Sequence, residues 1–94
     1  MKLLVIQKIS ADEFLVTVNK NIVTNHIVFV TDATHKKFSN GLLTKEQLLK
    51  KSFLFLLQKE EQTSVLKQFY LEDIEDYFPE FSNIAKIGWI DISG

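Results

Sequence analysis

Ninety-four residues, 46% hydrophobic and 24% charged with a net charge of −1, suit one globular domain and exclude both a disordered chain and two independent cores. No cysteine is present, which removes disulfide frameworks, thiolate metal sites and Cys–His catalysis. The near-neutral charge argues against nucleic acid as the main partner, although the charge is divided unevenly. Residues 1–58 hold eight lysines against four carboxylates, a net of +4, and residues 59–94 hold three lysines against eight carboxylates, a net of −5. Such a division either pairs the two halves of one fold or steers two molecules together.

The chain opens on Lys2 and a short apolar run, Leu3 to Ile6. A secretory core needs about 7–15 apolar residues and a membrane span about 20, so neither is expected and the location is read as cytoplasmic. "LLVIQKI" reads as a first strand, with "SADE" as its turn. "EFLVTVN" alternates Phe14, Val16 and Val18 against Leu15, Thr17 and Asn19. "NHIVFVTD" alternates Ile27, Phe29 and Thr31 against His26, Val28 and Val30. A period of two rich in β-formers predicts strands, and "NKN" with Thr24-Asn25 supplies the polar turn between them. A three-stranded antiparallel meander is expected.

A short helical turn is expected over 33–38, ended by Asn40-Gly41, because glycine accepts positive φ. Thr44 and Gln47 form the reciprocal pair of a capping box, and 45–58 follows without Gly or Pro. On a helical wheel Leu49, Phe53, Leu56 and Leu57 make one apolar stripe, with Leu48 and Phe55 on its flank. Leu54 falls about 140° from Leu49, among Gln47, Lys51 and Gln58 on the solvent face. Thr63 or Ser64 then caps a second helical region, expected over 64–77, with Leu66, Phe69, Tyr70, Ile74 and Tyr77 on one face. Pro79 stops it. The tail "NIAKIGWIDIS" alternates again, and 84–92 is a candidate fourth strand that leans Trp89 outward. The fold class is therefore α+β: the meander, with this candidate fourth C-terminal strand, packed on two helices.

Residues 50–81 resemble the C-terminal signature of a family of small uncharacterised bacterial proteins. The resemblance is carried by Ser52, Phe53, Phe55, Leu56 and Leu57, then Lys59-Glu60, then Ser64, Val65, Leu66, Phe69, Leu71 and Ile74, and finally Tyr77, Phe78, Pro79 and Glu80. The upstream hairpin is also similar to that family's N-terminal half. The resemblance implies a small bacterial protein and no activity, cofactor or catalytic residue. Two departures stand out: the variable position inside the apolar motif, usually polar in the family, is Leu54, and "NIAKIGWIDISG" extends past the signature.

Chemistry is sparse. His26 lies in a strand, His35 precedes two lysines, and no serine sits on a glycine-flanked elbow. Two separated histidines do not make a metal site. Glu72, Asp73, Glu75 and Asp76 read as a solvated acidic face without the oxygen spacing of a calcium loop. Three glycines leave no phosphate-cradling loop. No enzyme, cofactor, metal or small-molecule substrate is read. The expected function is a non-catalytic protein-interaction module that binds a protein partner or a second copy through an apolar patch. Leu54, Phe55 and Trp89 are its expected anchors, with Lys51 at the charged rim. Equally, the tail could fold back over Leu54 within the same chain. The alternative function is an antitoxin- or repressor-type regulator that contacts nucleic acid through the lysine edge Lys36, Lys37, Lys45, Lys50 and Lys51, although arginine, the usual reader of guanine and phosphate, is absent.

Overall fold

The computed structural model describes residues 2–39 and 41–86. Strands β1 (Leu4–Lys8), β2 (Glu13–Asn19) and β3 (Val23–Phe29) form the expected antiparallel meander. The β1–β2 turn closes with the amides of Ile9 and Ser10 donating to the Glu13 carbonyl. The β2–β3 turn is tighter than expected: Lys20 N donates to Ile22 O, and Thr24 and Asn25 already belong to β3. Alternation sends Phe14, Val16, Val18, His26 and Val28 to one face, where they are fully buried, and Leu15, Thr17, Ile27 and Phe29 to the other.

Helix α1 (Asp32–Ser39) follows, and Gly41 turns the chain at φ 69°. Helix α2 (Lys45–Lys59) starts on the complete capping box: Gln47 N donates to Thr44 Oγ1, and Thr44 N donates to Gln47 Oε1. The Lys45 ammonium anchors this end, donating to Asp12 at 2.8 Å and contacting Asp32 at 2.9 Å, so it joins the β1–β2 turn, α1 and α2. Burial draws its pKa down, but the hydrogen bonds and charges of the two aspartates outweigh this and raise it. The same contact lowers the pKa of Asp32.

Beyond α2 the structure departs from the expected long helix over 64–77. A 3-10 turn (Gln62–Ser64) leads into a short strand β4 (Gln68–Tyr70), then α3 (Asp73–Tyr77). Strand β4 runs parallel to β3 and completes a sheet of order β1-β2-β3-β4. The reason is the unpaired edge of β3. Ile27 N donates to Lys67 O and Leu71 N donates to Phe29 O, so backbone groups that would otherwise face solvent are satisfied by the Lys67–Leu71 segment. Phe69 points inward while Gln68 and Tyr70 remain exposed, a period of two rather than 3.6.

The start of the candidate C-terminal strand is also corrected. Residues 84–86 end helix α4 (Glu80–Lys86), which begins immediately after Pro79, a residue suited to a helix start. The remainder of that expected strand, with Trp89, lies outside the described residues. The fourth strand observed is β4. The four α-helices among the described residues lie on the face of the sheet that carries Phe14, Val16, Val18 and Val28, and one apolar cluster joins that face to Phe38, Leu49, Phe53, Leu71 and Phe81. No helix among the described residues is long and apolar enough to cross a membrane.

Two substitutions test this account. Thr44→Ala should cost about 1 kcal/mol of unfolding free energy through the lost cap, read in urea. Phe55→Ala should cost about 3–5 kcal/mol, as for a core aromatic. A loss below 1 kcal/mol at Phe55 would mean that its ring is not in the core.

Candidate interaction surfaces

Of the expected anchors, Phe55 belongs to the core. Phe55 is 1% exposed, with its ring 5.9 Å from that of Phe78 in an edge-on contact and 5.6 Å from that of Phe81. Phe81, delivered by α4, is the cause: it covers the flank of α2 that the wheel left half open, so Phe55 is a core residue and not a surface anchor. Leu54 is half-buried. It lines a shallow groove between α2 and the first strand with Leu3, Leu4, Ile6, Lys50 and Lys2, so β1 partly shields it. Lys51 is half-buried one turn away on the same helix. Trp89 lies outside the described residues.

The lysine edge is also broken up by the fold. Lys45 is held by Asp12 and Asp32, and Lys37 reaches Glu75 at 3.4 Å. Three acidic residues of 72–76, Glu72, Asp73 and Glu75, have structural partners as well. Glu72 accepts from Thr34 Oγ1 at 3.1 Å, and Asp73 accepts from the Tyr70 amide at 3.1 Å. Both histidines are engaged. His35 Nε2 donates to the Leu43 carbonyl at 2.6 Å. The buried His26 sits 5.5 Å from the Phe53 ring. Its Nδ1–H donates to Leu66 O at 2.7 Å, and its Nε2 accepts from Thr24 Oγ1 at 2.9 Å. The Gln62 amide, itself buried, donates to Thr24 Oγ1, Val18 O and Ile22 O. This network fixes the neutral Nδ1–H form of His26 and pins the segment before β4 to the sheet. Burial lowers the pKa of His26, the hydrogen bond to Leu66 opposes that, and the charge of Lys67 adds to it. Among the described residues no group of three or more His, Asp or Glu side chains could hold a metal ion.

Two features were not singled out by the sequence. The first is the outer face of the sheet, which no helix among the described residues covers. The registers place side chains there in rows: Leu3, Asn19 and Val23, then Val5, Thr17 and Asn25. Gln7, Leu15, Ile27 and Gln68 form the next row, and Ile9, Glu13, Phe29 and Tyr70 the last. Glu13 is the one charge in these rows. Leu3, Val5, Ile9, Val23 and Tyr70, five of the nine exposed large apolar side chains, lie on this face. The rings of Phe29 and Tyr70 pack at 5.0 Å. The signal was present in the alternation, since the outward set of β2 and β3 includes Leu15, Ile27 and Phe29 where a solvated face would carry charge.

The second is a cleft of about 110 Å³ between the end of α2, the Val65–Leu66 segment, β4 and α3. Leu56, Val65, Phe69 and Ile74 form its floor, Leu66 and Tyr77 its walls, and Glu60 and Asp73 stand at its rim. Comparison with known proteins found no matching family model, no matching curated protein and no matching solved structure.

The His26 network predicts a pH dependence. The folded state holds His26 neutral below its ordinary pKa of 6.5, whereas the unfolded chain takes up the proton there. Stability from this group is therefore complete above about pH 6.5, falls as pH drops below it, and levels off beneath the folded pKa. Urea midpoints measured between about pH 7.5 and 5.5 should fall for the natural chain and lose that slope in His26→Gln.

Proposed function

We propose that the protein is a small non-catalytic interaction module of the bacterial cytoplasm, and that a second copy of the chain is its partner, docked through the uncovered face of the sheet. The observation that carries this reading is the gathering of exposed apolar side chains on one face with a single charge among them. A face with a single charge at one end is nearly complementary to itself, because bringing two copies together sets few like charges against each other and strips water from few ionic groups. The pairing would be isologous, with the sheets stacked about 10 Å apart as in a β-sandwich.

Area sets the expected strength. Four strands of at most seven residues cover roughly 19 by 23 Å, about 440 Å² in flat projection, which side-chain relief enlarges. Standard stable interfaces use about 800 Å² per partner, so this one falls toward the weak end, with dissociation expected in the micromolar range.

Sedimentation of the natural chain across about 1–200 µM should follow a monomer–dimer equilibrium. Val5→Lys combined with Tyr70→Lys should remain folded and sediment as a monomer. Leu54→Glu, on the helix side, should leave the equilibrium unchanged. A natural chain that stays monomeric throughout overturns the reading, and loss of the dimer in Leu54→Glu alone would return the interface to α2.

A further inference from the structure

Among the described residues seventeen apolar side chains are buried, and of these the ones more than 2% exposed are Leu56, Val65, Phe69 and Ile74. All four form the floor of the cleft between α2, β4 and α3. Four successive segments, the end of α2, the stretch after the 3-10 turn, β4 and α3, each turn one core side chain toward the same hollow. Leu66, 50% exposed, and Tyr77, 67% exposed, flank it. The hollow is also held open by structure rather than by loose chain. The His26–Leu66 hydrogen bond and the bond from Ile27 N to Lys67 O fasten one wall to β3, and the Asp73 carboxylate fastens α3 to the Tyr70 amide.

Size and charge narrow the occupant. About 110 Å³ is less than the ~150 Å³ cavity that accepts benzene, so it suits one branched aliphatic side chain and excludes a large aromatic. The rim carries the carboxylates of Glu60 and Asp73, and among the described residues neither forms an ion pair. By contrast Glu75 is matched by Lys37 and Glu80 by Lys59. The hollow opens within the half of the chain whose net charge is −5. An apolar floor beneath an acidic rim is complementary to an aliphatic residue flanked by lysine or arginine.

We infer that this cleft is a docking site for a basic peptide segment of a partner protein, which inserts one leucine, isoleucine or valine side chain onto Leu56, Val65, Phe69 and Ile74 while its flanking cations meet Glu60 and Asp73. The site is distinct from the sheet face and does not depend on dimerisation. Burial of the anchor supplies attraction without direction, and the two carboxylates choose basic flanks over acidic ones.

The test is a titration of the isotope-labelled full chain, followed by NMR, with acetyl-Lys-Lys-Leu-Lys-Lys-amide. Shift changes are expected at Leu56, Val65, Leu66, Phe69 and Ile74, with a Kd on the order of 0.1–5 mM, as a single anchor allows. The same peptide with serine in place of leucine, or with glutamate in place of every lysine, should bind at least five-fold more weakly. Glu60→Gln combined with Asp73→Asn should weaken the leucine peptide at least three-fold, and half-molar salt should act in the same direction. Asparagine at position 73 retains an acceptor for the Tyr70 amide, so the fold is preserved. Equal binding of the serine or glutamate peptide, shifts centred elsewhere, or no shifts at several millimolar peptide would each overturn the inference. So would concentration-dependent shifts at these five residues without peptide, which would make the cleft part of a self-interface.

Discussion

The hydrogen-bond network around His26 is the constraint on which the rest of the structure depends. Strand β3 carries apolar side chains on both faces, Val28 inward and Ile27 with Phe29 outward. A slip of one residue would exchange these sets at little hydrophobic cost, so apolar contrast specifies the register weakly. The imidazole removes that freedom. In the observed register both ring nitrogens are satisfied, by Leu66 and Thr24, and the Gln62 amide closes the same network. In the slipped register His26 and Thr24 would both turn to the outer face, away from Leu66 and Gln62, and the buried Gln62 amide would lose its bond to Thr24 at about 1–3 kcal/mol. A buried polar cluster thus decides which face of the sheet receives the helices, and by exclusion which face stays open.

The same network explains how much could be read in the sequence. The meander and the start of α2 were legible because their signals are local: alternation over seven residues, and a Thr-x-x-Gln box. The 64–77 segment was misleading because Leu66, Phe69, Ile74 and Tyr77 do recur at helical spacing. What overrides that spacing is non-local. The open edge of β3 accepts Lys67–Leu71 as a partner, and a pairing across about 40 residues leaves no trace in a short window. Phe55 was misread for a related reason. A wheel shows where a residue lies on its own helix, whereas its burial depends on Phe81, contributed by a helix 25 residues later.

Charge follows the same pattern of internal use. The basic first half and acidic second half allow either pairing within one fold or steering between molecules. In the fold, Lys37–Glu75 bridges the halves, Lys45 is spent on two aspartates of its own half, and Lys59 meets Glu80. These contacts are exposed in whole or part, so they orient elements more than they stabilise them. Two of the five lysines of the expected cationic edge, Lys37 and Lys45, are thereby paired with carboxylates.

The two surfaces left over therefore differ in kind. The sheet face is broad, nearly uncharged and indifferent to direction, properties that favour a copy of itself. The cleft is small, has a defined floor and carries charge of one sign at its rim, properties that favour a different molecule of the opposite sign. They are also physically separate, since the sheet face looks away from the helical layer while the cleft opens among α2, β4 and α3. Tyr70 and Phe69 make the division concrete. Adjacent in β4, they point to opposite sides, Tyr70 into the outer rows and Phe69 into the floor of the cleft. One three-residue strand, held in place by a histidine, thus supplies a side chain to each surface, and the pleat of that strand keeps the two apart.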